Sequence, residues 1–356
     1  RGSMDTKLFG FDARGNVGLQ LVNTDQSGAG YYVNEKTCTG NTPETCPSTR
    51  VSAGTSFVDV LPSMNLMLDV GNESVVRVGV GRSMTRPSMA DMKGSITFGL
   101  NATAQGGPRY EGSAGNPFLK PFRANVFDLS FEKYFAKNKG YVSLAGFYKD
   151  LATYIYKQNT AVDFSKYGVT LPAGVSPIGM FTAPANGSGG SLKGAEIAVS
   201  VPFGIFAKPL DGFGVQFNHT YTDSSVSIPA AGLNTNDVNV SHLPLPGMSR
   251  NSENIRFYYE KHGLQVSIAQ RYRSDFLGEV SDFQDNRQLT FVKAERTVDL
   301  QVSYELQSGP AKGLSIIFQG NNLTKTAFQR YRADTGAVVE NVPTGKTYLF
   351  GLNYKL

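Results

Sequence analysis

Cysteines and histidines are the residues of this 356-residue chain whose spacing could most directly reveal chemistry. Cys38 and Cys46 enclose a short segment rich in Gly, Asn and Thr, which predicts a disulfide in an oxidising compartment, with two free thiols as the alternative. Neither cysteine has a histidine nearby, so the zinc-binding pattern is missing. His219, His242 and His262 lie far apart on different predicted elements, which favours strand and turn positions over a metal site or a catalytic triad.

Catalytic motifs do not accompany these residues. The sequence has no nucleophile elbow, phosphate-binding loop or dinucleotide fingerprint in a strand–turn–helix context. We therefore expect a protein that is not an enzyme and has no catalytic residues, no metal and no cofactor. A hydrolytic barrel stays open as an alternative, because its serine and histidine would meet in space rather than in sequence. The net charge of +5 is spread without basic runs, so we expect no nucleic-acid partner.

Strands, rather than helices, must position any site in this chain. Apolar and polar residues alternate with a period of two over long stretches, such as 264–273, 298–306 and 348–356. Successive side chains of a strand point to opposite faces, so each stretch has one apolar and one polar face. Twelve main strands are predicted, at roughly 14–24, 51–70, 75–86, 122–136, 141–157, 189–202, 213–226, 250–261, 264–277, 294–306, 314–322 and 346–356.

The connections between these strands alternate between long and short. The short ones are 71–74, 137–140, 203–212, 262–263 and 307–313, and the long ones are 25–50, 87–121, 158–188, 227–249, 278–293 and 323–345. An outer-membrane barrel has this parity, with short periplasmic turns and long extracellular loops, whereas a soluble sandwich has no reason for it. The strands also reach the roughly 9–11 residues that cross a bilayer at a tilt. We therefore predict an all-β fold, an antiparallel up-and-down transmembrane β-barrel of about twelve strands.

Charges on the polar strand faces agree with this prediction. They are too many for the dry interior of a sandwich, because an uncompensated buried charge is costly. They fit either the solvent side of a sandwich or a wet lumen, and the loop parity and strand length favour the lumen. The charged residues are Arg77, Glu132, Lys133, Arg256, Glu260, Arg271, Arg273 and Glu305.

Ordered motifs along the chain resemble those of a known family. They are GNVGL at 15–19, VLPSMNL at 60–66, SMTRPS at 83–88, GNPFLKP at 115–121, DLSFEKYF at 128–135, FYKD at 147–150, KGAE at 193–196 and NNLT at 321–324. Together with the aromatic terminal strand, they resemble the C-terminal barrel portion of TonB-dependent outer-membrane receptors, most closely the branch common in Xanthomonas- and Caulobacter-type bacteria. The chain ends in Leu356, where the family usually has an aromatic residue.

The resemblance implies one β-barrel domain over residues 5–356, located in the bacterial outer membrane. Residues 1–4 look like an expression-tag remnant. Full-length members of the family have a plug and a 22-stranded barrel, so we expect the plug and the early strands to be missing here. If twelve strands close a barrel, the first must pair with the last; otherwise two edges stay unpaired.

The function implied by the resemblance is uptake of a small-molecule ligand, a carbohydrate or a ferric siderophore. Expected partners are outer-membrane lipid and that ligand, while the TonB complex would be reached only through the missing plug, so we expect no active transport by the isolated chain. The ligand would meet extracellular loops and the upper lumen, and mutual charge pairing is the alternative role for the same residues. The candidate ligand-binding residues are Arg109, Tyr110, Arg273, Asp275, Arg330, Tyr331 and Arg332. A passive outer-membrane pore and a soluble β-sandwich binding module remain as alternative functions.

Overall fold

The computed structural model describes residues 1–33, 48–104, 107–137, 139–169, 171–228, 240–281 and 287–354. Strands dominate this part of the chain, and its helices are short 3₁₀ turns, none of them long and apolar enough to cross a membrane. Cys38 and Cys46 lie outside the described residues, so their disulfide stays a prediction.

The described strands follow one another in chain order. They are β1 (Gly2–Leu8), β2 (Phe11–Val33), β3 (Ser48–Gly71), β4 (Ser74–Thr85), β5 (Ile96–Asn101), β6 (Arg109–Ala114), β7 (Phe122–Phe135), β8 (Gly140–Asp163), β9 (Ser176–Ser188), β10 (Gly190–Pro202), β11 (Phe213–Ile228), β12 (Val240–Leu243), β13 (Asn251–Lys261), β14 (Leu264–Arg273), β15 (Phe276–Ser281), β16 (Arg287–Val292), β17 (Glu295–Glu305), β18 (Leu314–Asn321), β19 (Phe328–Arg332), β20 (Val338–Val342) and β21 (Thr347–Tyr354).

Thirteen of these strands form one continuous antiparallel sheet, which we call the wall. Its members are β1 to β4, β7, β8, β10, β11, β13, β14, β17, β18 and β21, each paired with its neighbours in that order. The predicted all-β, up-and-down arrangement is confirmed, and so are the short turns at one end and the long loops at the other.

The predicted count of about twelve strands is too low. The twelve predicted segments all form wall strands, and the thirteenth is β1, which includes residues 2–4 that the sequence had set aside as a tag remnant. Eight further strands lie in the long loops; seven are short, so their alternation is too brief to be noticed, whereas β9 has 13 residues. Among the described residues, no pairing joins β1 to β21, so the wall is not closed into a twelve-strand barrel.

The two faces of the wall differ in chemistry, as the alternation predicts. On one face, called the polar face, a row of cross-strand partners is polar or small at nearly every position. The row consists of Asp5, Arg14, Met67, Arg77, Ser130, Ala145, Glu196, Thr220, Ser252, Arg273 and Glu295. The opposite, outward face exposes large apolar side chains, including Leu19, Val58, Phe257, Tyr304 and Phe350.

This exposure decides between a membrane wall and a sandwich. A sandwich would bury Tyr304 and its neighbours between two packed sheets. In the described part of the chain their face is uncovered instead, which is what a lipid-facing surface requires. One detail of the prediction is wrong: Glu132 and Lys133 are adjacent in β7 and cannot share a face. Glu132 pairs with Arg77 at 2.9 Å on the polar face, whereas Lys133 reaches the Asn72 carbonyl at a turn.

The buried apolar residues lie mainly at the long-loop end, because the wall turns its apolar side outward. One cluster is formed by Tyr154, Val226, Leu243 and Leu277. A second cluster, which we call the aromatic cluster, consists of Phe98, Tyr110, Phe164, Tyr167 and Phe181, with Val169 packed beside it. These cores give the long loops a fixed structure of their own.

The segment 115–121 fastens two of these loops together. Gln26 of β2 donates to the carbonyls of Pro117 and Leu119 at 2.9 and 2.7 Å. Asn186 of β9 exchanges two 2.8 Å hydrogen bonds with the backbone of Lys120. Leu119 itself is fully buried. This motif therefore has a structural role.

Candidate ligand-binding site at the long-loop end

A small four-stranded sheet at the long-loop end brings most of the candidate residues together. Strands β15, β16, β19 and β20 pair in antiparallel order and emerge from the loops that follow β14 and β18. Arg330, Tyr331 and Arg332 lie in β19, while Arg273 ends β14 and Asp275 precedes β15. Three of the seven predicted ligand residues thus belong to this sheet, which we call the loop sheet, and Arg273 and Asp275 adjoin it.

Tyr331 and Asp275 are in direct contact within the loop sheet. The Tyr331 hydroxyl donates a 3.0 Å hydrogen bond to Oδ2 of Asp275, and its ring stacks on Phe291 with centroids 5.9 Å apart. Partial burial and this hydrogen bond raise the pKa of Tyr331 above its usual value. The hydroxyl is therefore a protonated donor at neutral pH, held against a carboxylate that is separated from it by 56 positions in sequence.

Arg273 is held at the top of the wall by a carboxylate and an aromatic ring. Its Nη2 lies 2.7 Å from Glu295 Oε2, and its guanidinium carbon lies 4.6 Å from the centroid of the Phe276 ring. The register explains the first contact, because Arg273 and Glu295 are directly opposed on β14 and β17. A guanidinium held in this way is fixed in orientation, although the Arg273 side chain is still 40% exposed to solvent.

The two other arginines of the loop sheet are also paired. Arg330 opposes Glu340 across β19 and β20, with Nε 2.6 Å from Oε2. Arg332 holds Asp334 at 2.8 Å across the turn that joins those strands. The hydrogen bond from Arg332 lowers the pKa of Asp334. The alternative role of mutual charge pairing is therefore realised for each arginine of this sheet.

Arg109 and Tyr110 lie elsewhere, in the loop assembly built by β5, β6 and β9. Arg109 pairs with Glu111 at 2.9 Å. Tyr110 is only 5% exposed, and its ring stacks on Phe164 with centroids 5.8 Å apart. The ring packs inside the aromatic cluster, and direct ligand contact by Tyr110 stays a prediction.

A cavity of about 1060 Å³ lies on the polar face of the wall. It is lined mainly by strands between β1 and β11, and its charged residues include Arg14, Arg77, Asp128, Lys149 and Glu196. Of these, only Arg77 had been emphasised from the sequence, although the period-two pattern assigns the others to the same face. The volume is at the upper end of pockets that hold small molecules. Among the described residues, no group of three or more His, Cys, Asp or Glu is placed to hold a metal ion.

Comparison with known proteins assigns this wall and its loops to a family. The family model described as "TonB dependent receptor-like, beta-barrel" matches residues 7–323. The chain belongs to this family. The resemblance predicted from the motifs is thereby confirmed, including the identification of the chain as a barrel portion. No curated protein matches the chain in sequence.

Solved structures of TonB-dependent receptors have the same fold. The ferric enterobactin receptor PfeA of Pseudomonas aeruginosa is similar over 97% of this chain and 51% of its own, with a TM-score of 0.59 and 15% identity. The siderophore receptor PirA of Acinetobacter baumannii is similar over 99% of this chain and 53% of its own, with a TM-score of 0.55 and 15% identity. The hemophore receptor HasR of Serratia marcescens is similar over 97% of this chain and 48% of its own, with a TM-score of 0.58 and 15% identity. This chain therefore spans about half the length of the receptors it matches.

Proposed function

We propose that this chain is the wall and loop region of an outer-membrane receptor that takes up a small anionic chelate, a ferric siderophore. The observation that carries the proposal is the loop sheet with the adjoining Arg273, which together fix three arginines and a tyrosine at the long-loop end of a wall that has a cavity on its polar face. The ferric enterobactin and siderophore receptors with the same fold support the same ligand class. An enzymatic role has no support from this family.

The chemistry of Arg273 suits an anionic oxygen-rich ligand. A guanidinium carries five N–H donors, and Nε and Nη2 of Arg273 both contact a single oxygen of Glu295. The side chain can therefore keep its internal ion pair and also donate to a ligand oxygen. Because its orientation is fixed before binding, little side-chain entropy is lost when the ligand arrives.

A carbohydrate ligand is the second candidate, and the aromatic rings of the loop sheet favour it. Tyr331 stacked on Phe291, and Phe276 beneath Arg273, offer flat apolar surfaces beside hydrogen-bonding groups. Sugars are bound by this combination because their C–H faces pack on rings while their hydroxyls bind polar side chains. The two candidates differ in charge, so a single variant separates them.

The test is equilibrium binding to the chain folded into phospholipid vesicles, with radiolabelled ferric enterobactin and a radiolabelled maltodextrin as probes. Arg273→Ala should weaken ferric enterobactin binding by about 10- to 100-fold, because a hydrogen bond to a charged group contributes about 1.5–3 kcal/mol. Lys312→Ala, an exposed charge at the short-turn end, is the matched control and should bind like the unmodified chain. Unchanged binding by the Arg273 variant, or binding of the maltodextrin alone, would contradict the siderophore proposal.

Transport by this chain alone is a separate question. We expect the reconstituted chain to bind ligand without accumulating it, because energised uptake depends on a plug that relays force from the TonB complex. A passive pore is the competing function. Steady open conductance in a planar bilayer, unaffected by ferric enterobactin, would favour the pore over the receptor.

A further inference from the structure

One connection at the short-turn end is longer than the others and carries several exposed apolar side chains. Residues 203–212 join β10 to β11 through two 3₁₀ turns, Phe203–Ile205 and Lys208–Leu210. Pro202 and Pro209 cannot donate to a strand ladder, which explains why the pairing of β10 ends here. Gly212, with φ +96°, provides the left-handed residue that leads into β11.

The turn carries apolar side chains that the fold does not bury. Phe206 is 70% exposed, and Ile205 and Leu210 are exposed as well. Three large apolar side chains in eight residues are costly in water, at about 25 cal/mol for each Å² that stays wet. Their exposure indicates that something other than the chain itself covers them.

The turn leads directly into the outward face of the wall. Phe213 begins β11 directly after the turn and opposes Tyr259 of β13, with ring centroids 4.6 Å apart. Both residues share the outward face with the exposed Phe257, by the period-two register. The outward apolar face therefore begins at Phe213, three residues after Leu210 of the turn.

Basic residues border this surface on the turn side. Lys208 is exposed within the turn, and Lys261 lies 2.9 Å from Asp211 at the end of β13. The hydrogen bond from Lys261 is the main cause of the lowered pKa of Asp211, which the charge of Lys139 also lowers. Apolar side chains next to long basic ones are typical of segments that lie in a membrane interface, where lysine stems extend toward lipid phosphates.

We propose that residues 203–210 form an interfacial anchor that rests on the bilayer at the short-turn end of the wall. Ile205, Phe206 and Leu210 insert between the headgroups, and Lys208 contacts the phosphates of anionic lipid. The proposal rests on the outer-membrane placement given under "Proposed function". Lipid is the occupant rather than a protein because the turn leads directly into Phe213, which belongs to the face that already requires lipid.

The chain contains no tryptophan, so one introduced tryptophan reports its own surroundings. We suggest Phe206→Trp in the anchor and two reference variants. Phe257→Trp lies on the outward wall, and Phe118→Trp lies in the 115–121 segment at the long-loop end, with Phe118 57% exposed. Each is folded into phosphatidylethanolamine–phosphatidylglycerol vesicles containing brominated lipids, with far-UV circular dichroism as the check on folding.

The expected result is strong quenching at position 257, quenching with bromine near the headgroups at position 206, and none at position 118. Adding Lys208→Glu to the Phe206→Trp variant should reduce its quenching in vesicles with phosphatidylglycerol. Quenching at position 257 without quenching at position 206 would overturn the anchor and leave the membrane placement intact. In that case water or a protein, rather than lipid, surrounds Phe206. Loss of quenching at 257 as well would overturn the membrane placement itself.

Discussion

Arg123→Ala is expected to destabilise the folded chain by about 3–5 kcal/mol, the usual cost of breaking a buried ion pair by removing one partner. Arg123 donates from Nε to Asp59 Oδ1, and the two side chains are only 11% and 4% exposed. The guanidinium also lies 5.3 Å from the centroid of the Phe57 ring. In the described part of the chain, Oδ2 of Asp59 has no other hydrogen-bond partner. Removing Arg123 therefore leaves a buried carboxylate without compensation.

An exposed pair on the same wall provides the matched control. Lys7 lies 3.6 Å from Asp12, with side chains 74% and 70% exposed. Solvent screens such a pair, so Lys7→Ala should change stability by no more than about 1 kcal/mol. Both variants remove one cation from an ion pair in the wall. The difference between their losses of stability therefore measures how much burial strengthens the pair.

The assay is urea unfolding in lipid vesicles, followed by the loss of far-UV circular dichroism. A double variant, Asp59→Leu with Arg123→Met, removes both charges and should recover most of the lost stability, because a buried pair replaced by apolar groups is often neutral. The reasoning is wrong if Arg123→Ala shifts the free energy of unfolding by less than about 1 kcal/mol, or if the double variant is as unstable as the single one.

Three further predictions concern the loops and the edge of the wall. Gly30→Ala would place a methyl group against the backbone of a neighbouring loop and should lower the free energy of unfolding by about 1–3 kcal/mol in the same assay. Gly351→Ala is the control, because Gly351 has open space around it, and should change stability little. Equal losses of stability in the two variants would contradict this reasoning. Tyr331→Phe should cost about 1 kcal/mol at neutral pH. Because the pKa of Tyr331 is raised in the fold, the stabilisation from its hydroxyl is complete below about pH 10 and is lost as the pH rises further. The variant should therefore lose less stability at alkaline pH than the unmodified chain. Identical dependence of the free energy of unfolding on pH in the two proteins would argue against this. Asn186→Ala removes both hydrogen bonds to the Lys120 backbone and should speed amide exchange there, and unchanged exchange would show that the loop is held otherwise.

The wall could be predicted from sequence because its governing rule is local. Alternation of apolar and polar residues within ten positions determines both strand and face, as the opposed pairs of β14 and β17 illustrate. The strand β1 was missed because residues 2–4 look like an artificial leader, although they extend the ladder against β2. Seven of the loop strands were missed because four to six residues hold too few alternations, while β9, with 13 residues, contains Pro177 and Pro184 and alternates poorly.

The candidate site was only partly predictable, because its contacts join distant parts of the chain. Side-chain type suggested Arg273, Arg330 and Arg332, but the carboxylate partners of Arg273 and Arg330 come from strand register that no single segment reveals. Tyr110 has the type of a ligand-stacking residue, and only the packing of β5, β6 and β9 shows it buried. Residue type thus indicated the chemistry at the loop end, while pairing determined which groups meet.

The strand count of the wall has a geometrical consequence for any complete barrel. Every hairpin reverses the chain, so in a series of thirteen the first and last strands point the same way. Joining those two edges directly would create a parallel seam in an otherwise antiparallel cylinder. Bacterial outer-membrane barrels avoid such a seam by having an even number of strands. A complete barrel with an even number of strands that included this wall would therefore have an odd number of strands besides these thirteen.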